Sequence, residues 1–317
     1  GLVDMEQTQI ERDLLGERQY PPVIQQLAVT WRFTRRYPTI PLVVLGILIF
    51  IAVFAPFLAP HDTRSGGIRN RHLPPAWAVL DDGYTVKDGN MDHVLGTDHA
   101  GRDVMSRLFF GARISLVVAG IALTSGFLIG TTMGITSGFA GGWWDEIVTR
   151  TVDIFAALPF LMMALVATMM FGQSLRLLLV LMVLLAWVPF VRVTRSQTLV
   201  IKSEPYVDLA RVAGCSTPRI LIRHILPGVL STAVVIATLS VGSLILAEAA
   251  LSFLGAGVPS PTPTWGAMVQ EGRNYLSTAW WPTVFPGVAI FLTVMSLNFT
   301  GDWLRDRLDP RLRQLMD

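Results

Sequence analysis

The sequence predicts an all-α integral membrane protein with six transmembrane helices. Its 317 residues are 52% hydrophobic and only 15% charged, whereas about a quarter of the residues of a soluble domain are charged. Six apolar stretches have roughly the length that a helix needs to cross a bilayer, about 20 residues. The net charge of +2 indicates no nucleic-acid partner.

The six predicted spans are separated by prolines, glycines and polar segments. They cover residues 40–59, 114–137, 154–171, 177–193, 229–253 and 284–304. Pro159 interrupts the third span. In the second span, Gly126, Gly130 and Gly134 form a small-xxx-small row, which lets helix backbones approach closely. The predicted parts are therefore a tail over 1–38, a first span with an outer loop over 39–111, a transmembrane core over 112–306 and a tail over 307–317.

The polar first tail contains one amphipathic stretch. Its apolar residues recur at helical spacing and predict a helix that lies on the inner membrane face; they are Val23, Ile24, Leu27, Ala28 and Trp31. The alternative is a disordered tail that happens to contain a tryptophan. Lysines and arginines flank one side of the spans more densely, which favours cytoplasmic N- and C-termini in the cytoplasmic membrane.

The predicted outer loop holds four histidines, namely His61, His72, His93 and His99. Their spacing matches no compact ligand pattern and no cysteine accompanies them. We interpret them as solvated loop residues and predict no metal site. The single cysteine, Cys215, excludes an internal disulfide and is interpreted as a small filler residue.

The stretch 204–227 is a polar, helix-forming interval between two apolar runs, and we call it the elbow. Tyr206, Val207 and Ala210 recur at helical spacing, and Gly214 is expected to end this first helix. Thr217 is a natural N-cap for a second helix, with Pro218 at its first position. We expect Pro227 to end that second helix.

The elbow resembles the cytoplasmic coupling loop of ABC-importer permeases. The triplet Asp208-Leu209-Ala210 stands for an acidic-Ala-Ala pattern, with Gly214 four residues later and Leu226-Pro227 closing the motif. Asp and Leu depart from the usual residues of the triplet, while His224 is typical of the peptide-importer branch. The resemblance implies that the elbow contacts an ATPase through Glu204, Tyr206, Val207, Asp208, Leu209, Ala210, Arg211, Gly214, Ser216, Arg219, His224, Leu226 and Pro227. The plain alternative is an ordinary interfacial helix.

Three further motifs resemble the dipeptide, oligopeptide and nickel branch of these importers. They lie at 95–116, 251–266 and 301–312. The resemblance implies a type I ABC importer permease fold and a second-position permease subunit. It also implies four kinds of partner: a sister permease, two cytoplasmic ATPase subunits, an extracytoplasmic substrate-binding protein and membrane lipid.

The implied function is ATP-driven import of di- or oligopeptides by alternating access. The chain is expected to be non-catalytic, because neither of its two lysines, Lys87 and Lys202, follows a phosphate-binding loop. No cofactor is expected in this chain, and ATP and Mg would be bound by the ATPase subunits. Nickel chelates, glutathione or another small solute remain alternative cargoes, and an ion-driven secondary transporter is the alternative from another class.

Polar residues inside the spans are candidates for substrate contacts. They are Glu248, Asn298 and Ser240. Glu248 lies near the end of its span, so it either lines the path or holds a neighbouring loop.

Overall fold

The computed structural model describes residues 38–81 and 86–308. The predicted interfacial helix within 1–38 and the tail beyond residue 308 lie outside these residues. The helices are α1 (Thr39–Leu58), α2 (Val104–Ala140), α3 (Gly142–Ala157), α4 (Phe160–Phe171), α5 (Leu175–Lys202), α6 (Pro205–Val212), α7 (Thr217–Ile220), α8 (Leu226–Phe253), α9 (Trp265–Gly272) and α10 (Trp281–Leu308). Two short strands, β1 (Val79–Asp81) and β2 (Val86–Asp88), pair antiparallel.

Within residues 38–81 and 86–308, five helices are long and apolar enough to cross a membrane, and a sixth span exists if the bent pair α3 and α4 forms one. These two helices meet at 83°. The predicted interruption of the third span at Pro159 is therefore confirmed, because the predicted span over 154–171 is divided between α3 and α4. Pro159 is the N-cap of α4, and its missing N–H together with the extended backbone of Leu158 separates the two helices.

The other predicted spans are confirmed in place, but four of them, now α2, α5, α8 and α10, extend beyond their predicted ends. The second helix begins ten residues earlier than expected, where the Asp103 side chain accepts a hydrogen bond from Ser106 N at 2.7 Å. The fourth predicted span, which forms α5, continues to Lys202 although Pro189 lies within it. Both of these extensions contain charged residues, so hydropathy alone stops short of them.

The packing of α2 against α5 depends on the predicted glycine row. A Cβ placed on Gly126 would lie 2.6 Å from Cβ of Ala186, and one on Gly130 would lie 2.5 Å from the carbonyl oxygen of Trp187. Contacts that short allow no side chain, so the two backbones touch only because these residues are glycines. Asp145 of α3 and Arg195 of α5 add a bidentate pair with both distances at 2.6 Å.

The bundle has a buried apolar core shared by three long helices. It is built on apolar side chains that include Val118 and Ala122 of α2, Met182 of α5 and Ile245 of α8. The elbow closes one end of this bundle. At the other end lie the described parts of 59–103 together with 254–280, and we call these segments the cap.

The cap is held by indole and ionic contacts. Trp265 Nε1 donates to the carbonyl oxygen of Leu108, and Trp281 Nε1 donates to that of Thr97, each at 3.0 Å. The prediction that the cap histidines are solvated is wrong for His93, which is 8% exposed. Its ring nitrogen Nδ1 bonds to Asp103 Oδ1 at 3.0 Å, because the chain folds back on the start of α2.

Candidate functional site

The first half of the elbow is a two-turn amphipathic helix, α6. Glu204 is its N-cap residue and Pro205 opens it, where the absent N–H of proline costs nothing. Val207 is fully buried and Ala210 is 9% exposed. These two residues, three apart, place one face of the helix against the bundle.

A Schellman motif ends α6 at Gly214. Gly214 N donates to the carbonyl oxygen of Arg211 at 2.9 Å, and Cys215 N donates to that of Ala210 at 3.0 Å. Gly214 has a φ of +78°, a conformation that side chains with a Cβ resist. A Cβ here would meet nothing within 4 Å, so the glycine is required by backbone conformation and not by space.

The second half of the elbow differs from the prediction at both ends. Ser216, and not Thr217, is the N-cap residue of α7, a shift of one position. The expectation that Pro227 ends this helix is wrong, because the helical path runs on from Thr217 to Phe253. A π-helical turn over Leu221–Ile225 intervenes, and such a wide turn accommodates the proline ring and its missing N–H.

An apolar cluster beneath the elbow joins it to three long helices. It contains Ile135 of α2, Val207, Ala210, Ile220, Ile225 and Val229 of α8. At its edge the Lys202 ammonium donates to the carbonyl oxygen of Phe139 at 2.6 Å. The Arg211 guanidinium lies 5.7 Å from the Phe139 ring centre. Sequence reasoning missed Ile135 and Phe139, because both are distant in sequence and look like ordinary membrane residues.

The outward face of the elbow is apolar and unusually accessible. Tyr206, Leu209 and Val212 are 47%, 68% and 87% exposed, and their spacing of three places them on one side of α6. Asp208 and Arg211 form an exposed ion pair at 3.1 Å on the same helix. The remaining predicted elbow residues Glu204, Ser216, Arg219 and Pro227 are exposed, while His224 and Leu226 are half-buried.

The three candidate path residues differ in accessibility. Glu248 is fully buried, and its carboxylate accepts hydrogen bonds from Ser115 Oγ at 2.9 Å and Ser252 Oγ at 2.8 Å. These contacts favour the interpretation that Glu248 holds neighbouring segments together. Asn298 is exposed and Ser240 is half-buried, so both stay candidates for a substrate path.

A buried ionic cluster connects the two segments of the cap. Arg102 pairs with Asp98 at 2.7 Å and with Glu271 at 2.7 Å, and Arg107 pairs with the same two carboxylates. Burial opposes ionisation of Asp98, but the guanidinium groups of Arg107 and Arg102 hold the pKa of that carboxyl below its ordinary value. The cluster therefore holds residues 95–107 against residues 265–275. Its two positive and two negative charges balance one another.

Two family models match this chain, one over the first span and one over most of the remaining bundle together with the elbow. Residues 126–314 match the family described as binding-protein-dependent transport system inner membrane component. Residues 38–75 match the N-terminal TM domain of oligopeptide transport permease C. The fold is that of a solved inward-facing methionine ABC transporter, MetNI, with a TM-score of 0.54 and 21% identity over 65% of this chain and 97% of that chain.

Two similar curated proteins are permease proteins of transport systems. The chain is 39% identical to the dipeptide transport system permease protein DppC of Escherichia coli K12, over 93% of this chain and 96% of the relative. It is 37% identical to the glutathione transport system permease protein GsiD of Escherichia coli O6:K15:H31, over 89% of each. The fold and these similarities define a permease subunit of an ABC importer. The chain belongs to the family of binding-protein-dependent transport system inner membrane components.

Proposed function

We propose that this chain is a non-catalytic permease subunit that imports di- or oligopeptides by ATP-driven alternating access. It works with a sister permease, two cytoplasmic ATPase subunits that bind ATP and Mg, and an extracytoplasmic substrate-binding protein. The observation that carries the proposal is the exposed apolar face of Tyr206, Leu209 and Val212 on a firmly seated helix. Such a face fits the groove of a partner protein.

The contacts beneath α6 explain how a partner's movement would reach the membrane. Val207 and Ala210 pack on Ile135 and Val229, so a push on α6 acts on the ends of α2 and α8 together. The Schellman motif at Gly214 fixes the angle between α6 and α7. Because the continuous helix then runs to Phe253, displacement of the elbow can tilt a whole span and change which side of the bundle is open.

The peptide cargo is supported by the relatives of this chain. The relatives named above transport a dipeptide or glutathione, and both are peptides. Glutathione import is the second candidate and rests on the 37% identity to GsiD. Asn298 and Ser240 are the proposed path residues, with Glu248 assigned to holding the bundle where it meets the cap.

The proposed orientation places the elbow, the N-terminus and the C-terminus in the cytoplasm. It can be tested in a Cys215→Ser background with single cysteines at Ile68 and at Val212, which are 91% and 87% exposed. An impermeant thiol reagent added to intact cells should label Ile68→Cys and leave Val212→Cys unlabelled until the cells are opened. The reverse pattern would contradict the orientation and remove the elbow from the cytoplasm.

The function itself is tested by transport in reconstituted vesicles. The complex of this chain with its sister permease, ATPase subunits and binding protein should accumulate labelled dipeptide only when ATP is supplied. Competition with unlabelled glutathione separates the two cargoes, since a glutathione importer would lose dipeptide uptake at low competitor concentration. Uptake by this chain alone on a proton or sodium gradient would contradict the proposal and favour a secondary transporter.

A further inference from the structure

Three side chains with metal-binding atoms converge in the cap, and the proposed function uses none of them. They are His61, three residues after α1, His93 at the end of a short 3-10 helix, and Asp103 at the start of α2. Their candidate ligand atoms all lie within 4.8 Å of one another. His93 Nδ1 is 3.0 Å and His61 Nδ1 is 3.9 Å from the same oxygen, Asp103 Oδ1.

The backbone and second contacts of these residues hold them in place. The other carboxylate oxygen of Asp103 accepts from the backbone N and Oγ of Ser106, each at 2.7 Å. His61 N donates to the same Ser106 Oγ at 3.0 Å, and His93 N donates to Asn90 Oδ1 at 3.0 Å. The two imidazole rings lie with their centres 4.7 Å apart. The arrangement is therefore set before any ion arrives.

One atom of the group has no partner among the described residues. His61 Nδ1 is shielded from solvent and makes no hydrogen bond there, although the rest of its side chain is 37% exposed. A buried polar atom without a partner is costly. Here it is aimed at a carboxylate oxygen that already serves a second histidine.

We propose that His61, His93 and Asp103 form a binding site for a divalent transition-metal ion, with zinc as the best match. Zinc takes nitrogen ligands at about 2.0–2.1 Å in tetrahedral geometry, which separates ligand atoms by about 3.3 Å. The His93–Asp103 distance is already close to this value, and His61 must approach Asp103 by less than about one ångström. A neutral His93 ring that donates from Nδ1 to Asp103 would change to the tautomer protonated at Nε2, so that Nδ1 can bind the ion and the ring releases no net proton.

The ligand set also indicates which ions are disfavoured. Two imidazoles and one carboxylate suit zinc and neighbouring transition metals, whereas calcium and magnesium prefer sites made of oxygen alone. Three protein ligands leave a fourth position for water, and the exposed edge of His61 provides an entry path. The ion would tie the end of α1 and the segment around residue 93 to the first turn of α2.

A second group of potential ligands in the cap, Asp98, His99 and Glu271, does not support the same inference. Both carboxylates already pair with Arg102 and Arg107. Those guanidinium groups would repel a cation and occupy the oxygens that it needs. His99 therefore serves as a control position, since it lies in the same segment and outside the proposed site.

The experiment measures metal binding directly on the full-length chain, purified in detergent with an affinity tag that contains no histidine. Co²⁺ replaces zinc as a spectroscopic probe, and Zn²⁺ competes with it. The wild-type chain should bind one Co²⁺ with the intense visible bands of tetrahedral coordination, and Zn²⁺ should abolish these bands. Thermal unfolding should shift upward on addition of Zn²⁺, because an ion that binds only the folded state stabilises it.

Variants decide between this site and incidental binding. His61→Ala should lose the Co²⁺ bands and the thermal shift while keeping the metal-free unfolding temperature, since its side chain makes no hydrogen bond that the structure describes. His99→Gln should retain both signals. The proposal is overturned if wild type and His61→Ala bind Co²⁺ equally, or if His99→Gln loses binding while His61→Ala keeps it. The result is independent of transport, so a failed uptake assay would not affect it.

Discussion

Substitution of Gly214 by valine tests how the elbow is held. The residue has a φ of +78° and open space around a new Cβ, so the cost of the substitution is backbone strain alone. A non-glycine residue in such a conformation costs about 1–3 kcal/mol, and β-branched valine falls at the upper end. Each 1.4 kcal/mol is a tenfold change in an equilibrium. The strained elbow should therefore unwind its Schellman motif in many of the molecules.

We expect Gly214→Val to lower transport more than it lowers insertion of the chain into the membrane. The apolar spans that drive insertion are unchanged, and Val207 with Ala210 still favours the seated helix, so we expect uptake to fall several-fold with normal expression. Gly214→Asn should be nearly neutral, because asparagine tolerates positive φ. Gly172→Val is the matched control, since Gly172 has a φ of +77° with open space around it and caps α4 away from the elbow. The reasoning is refuted if Gly214→Val keeps full uptake and full ATPase binding, or if Gly172→Val lowers uptake equally.

Three other substitutions test the remaining parts of the account. Asp208→Arg reverses an exposed charge on α6 and should weaken recovery of the ATPase subunits in a pull-down while the chain still inserts. Gly130→Val should destabilise the α2–α5 contact by at least about 1–3 kcal/mol and lower the thermal unfolding temperature, whereas Gly120→Val, with nothing within 4 Å, should not. Asp98→Asn should destabilise the cap by about 3–5 kcal/mol, because Arg107 is 1% exposed and would lose a charged partner. The pKa of Asp98 is lowered on folding. Its ionised carboxylate therefore stabilises the folded state fully above the ordinary pKa of about 3.9, and this stabilisation should be lost as the pH falls through the pKa of the folded state. A series of unfolding temperatures at different pH values measures this loss.

Local features of the elbow were predictable because their causes lie within a few residues. Gly214 ends a helix through its own backbone freedom, and the buried positions 207 and 210 follow helical spacing. The glycine row of α2 was also predictable, since small residues four apart have one common use in a membrane bundle. Each of these features depends on neighbours in sequence.

Other features did not follow from the sequence, because they depend on irregular helix geometry or on segments that are distant in sequence. The sequence predicted that Pro227 ends a helix, but the π-helical turn before it lets the helix continue. His61, His93 and Asp103 are separated by 32 and 10 residues, so their proximity in the fold, on which the metal proposal rests, does not follow from their spacing in sequence. For Glu248 the sequence left two roles open, and the hydrogen bond from Ser115 of another helix favours the role in which it holds neighbouring segments together. No sequence pattern carries that information.

The most direct test of the central claim is site-specific photo-cross-linking from the elbow in the assembled importer. A photoreactive residue at Val212, 87% exposed on the outward face of α6, should cross-link to an ATPase subunit, while the same residue at Val53, 59% exposed on α1, should not. Addition of ATP should change the yield at position 212, because in the proposed mechanism closure of the ATPase subunits moves the elbow. Absence of an ATPase adduct from position 212, or an equal yield from position 53, would contradict the claim that the elbow couples ATP hydrolysis to transport.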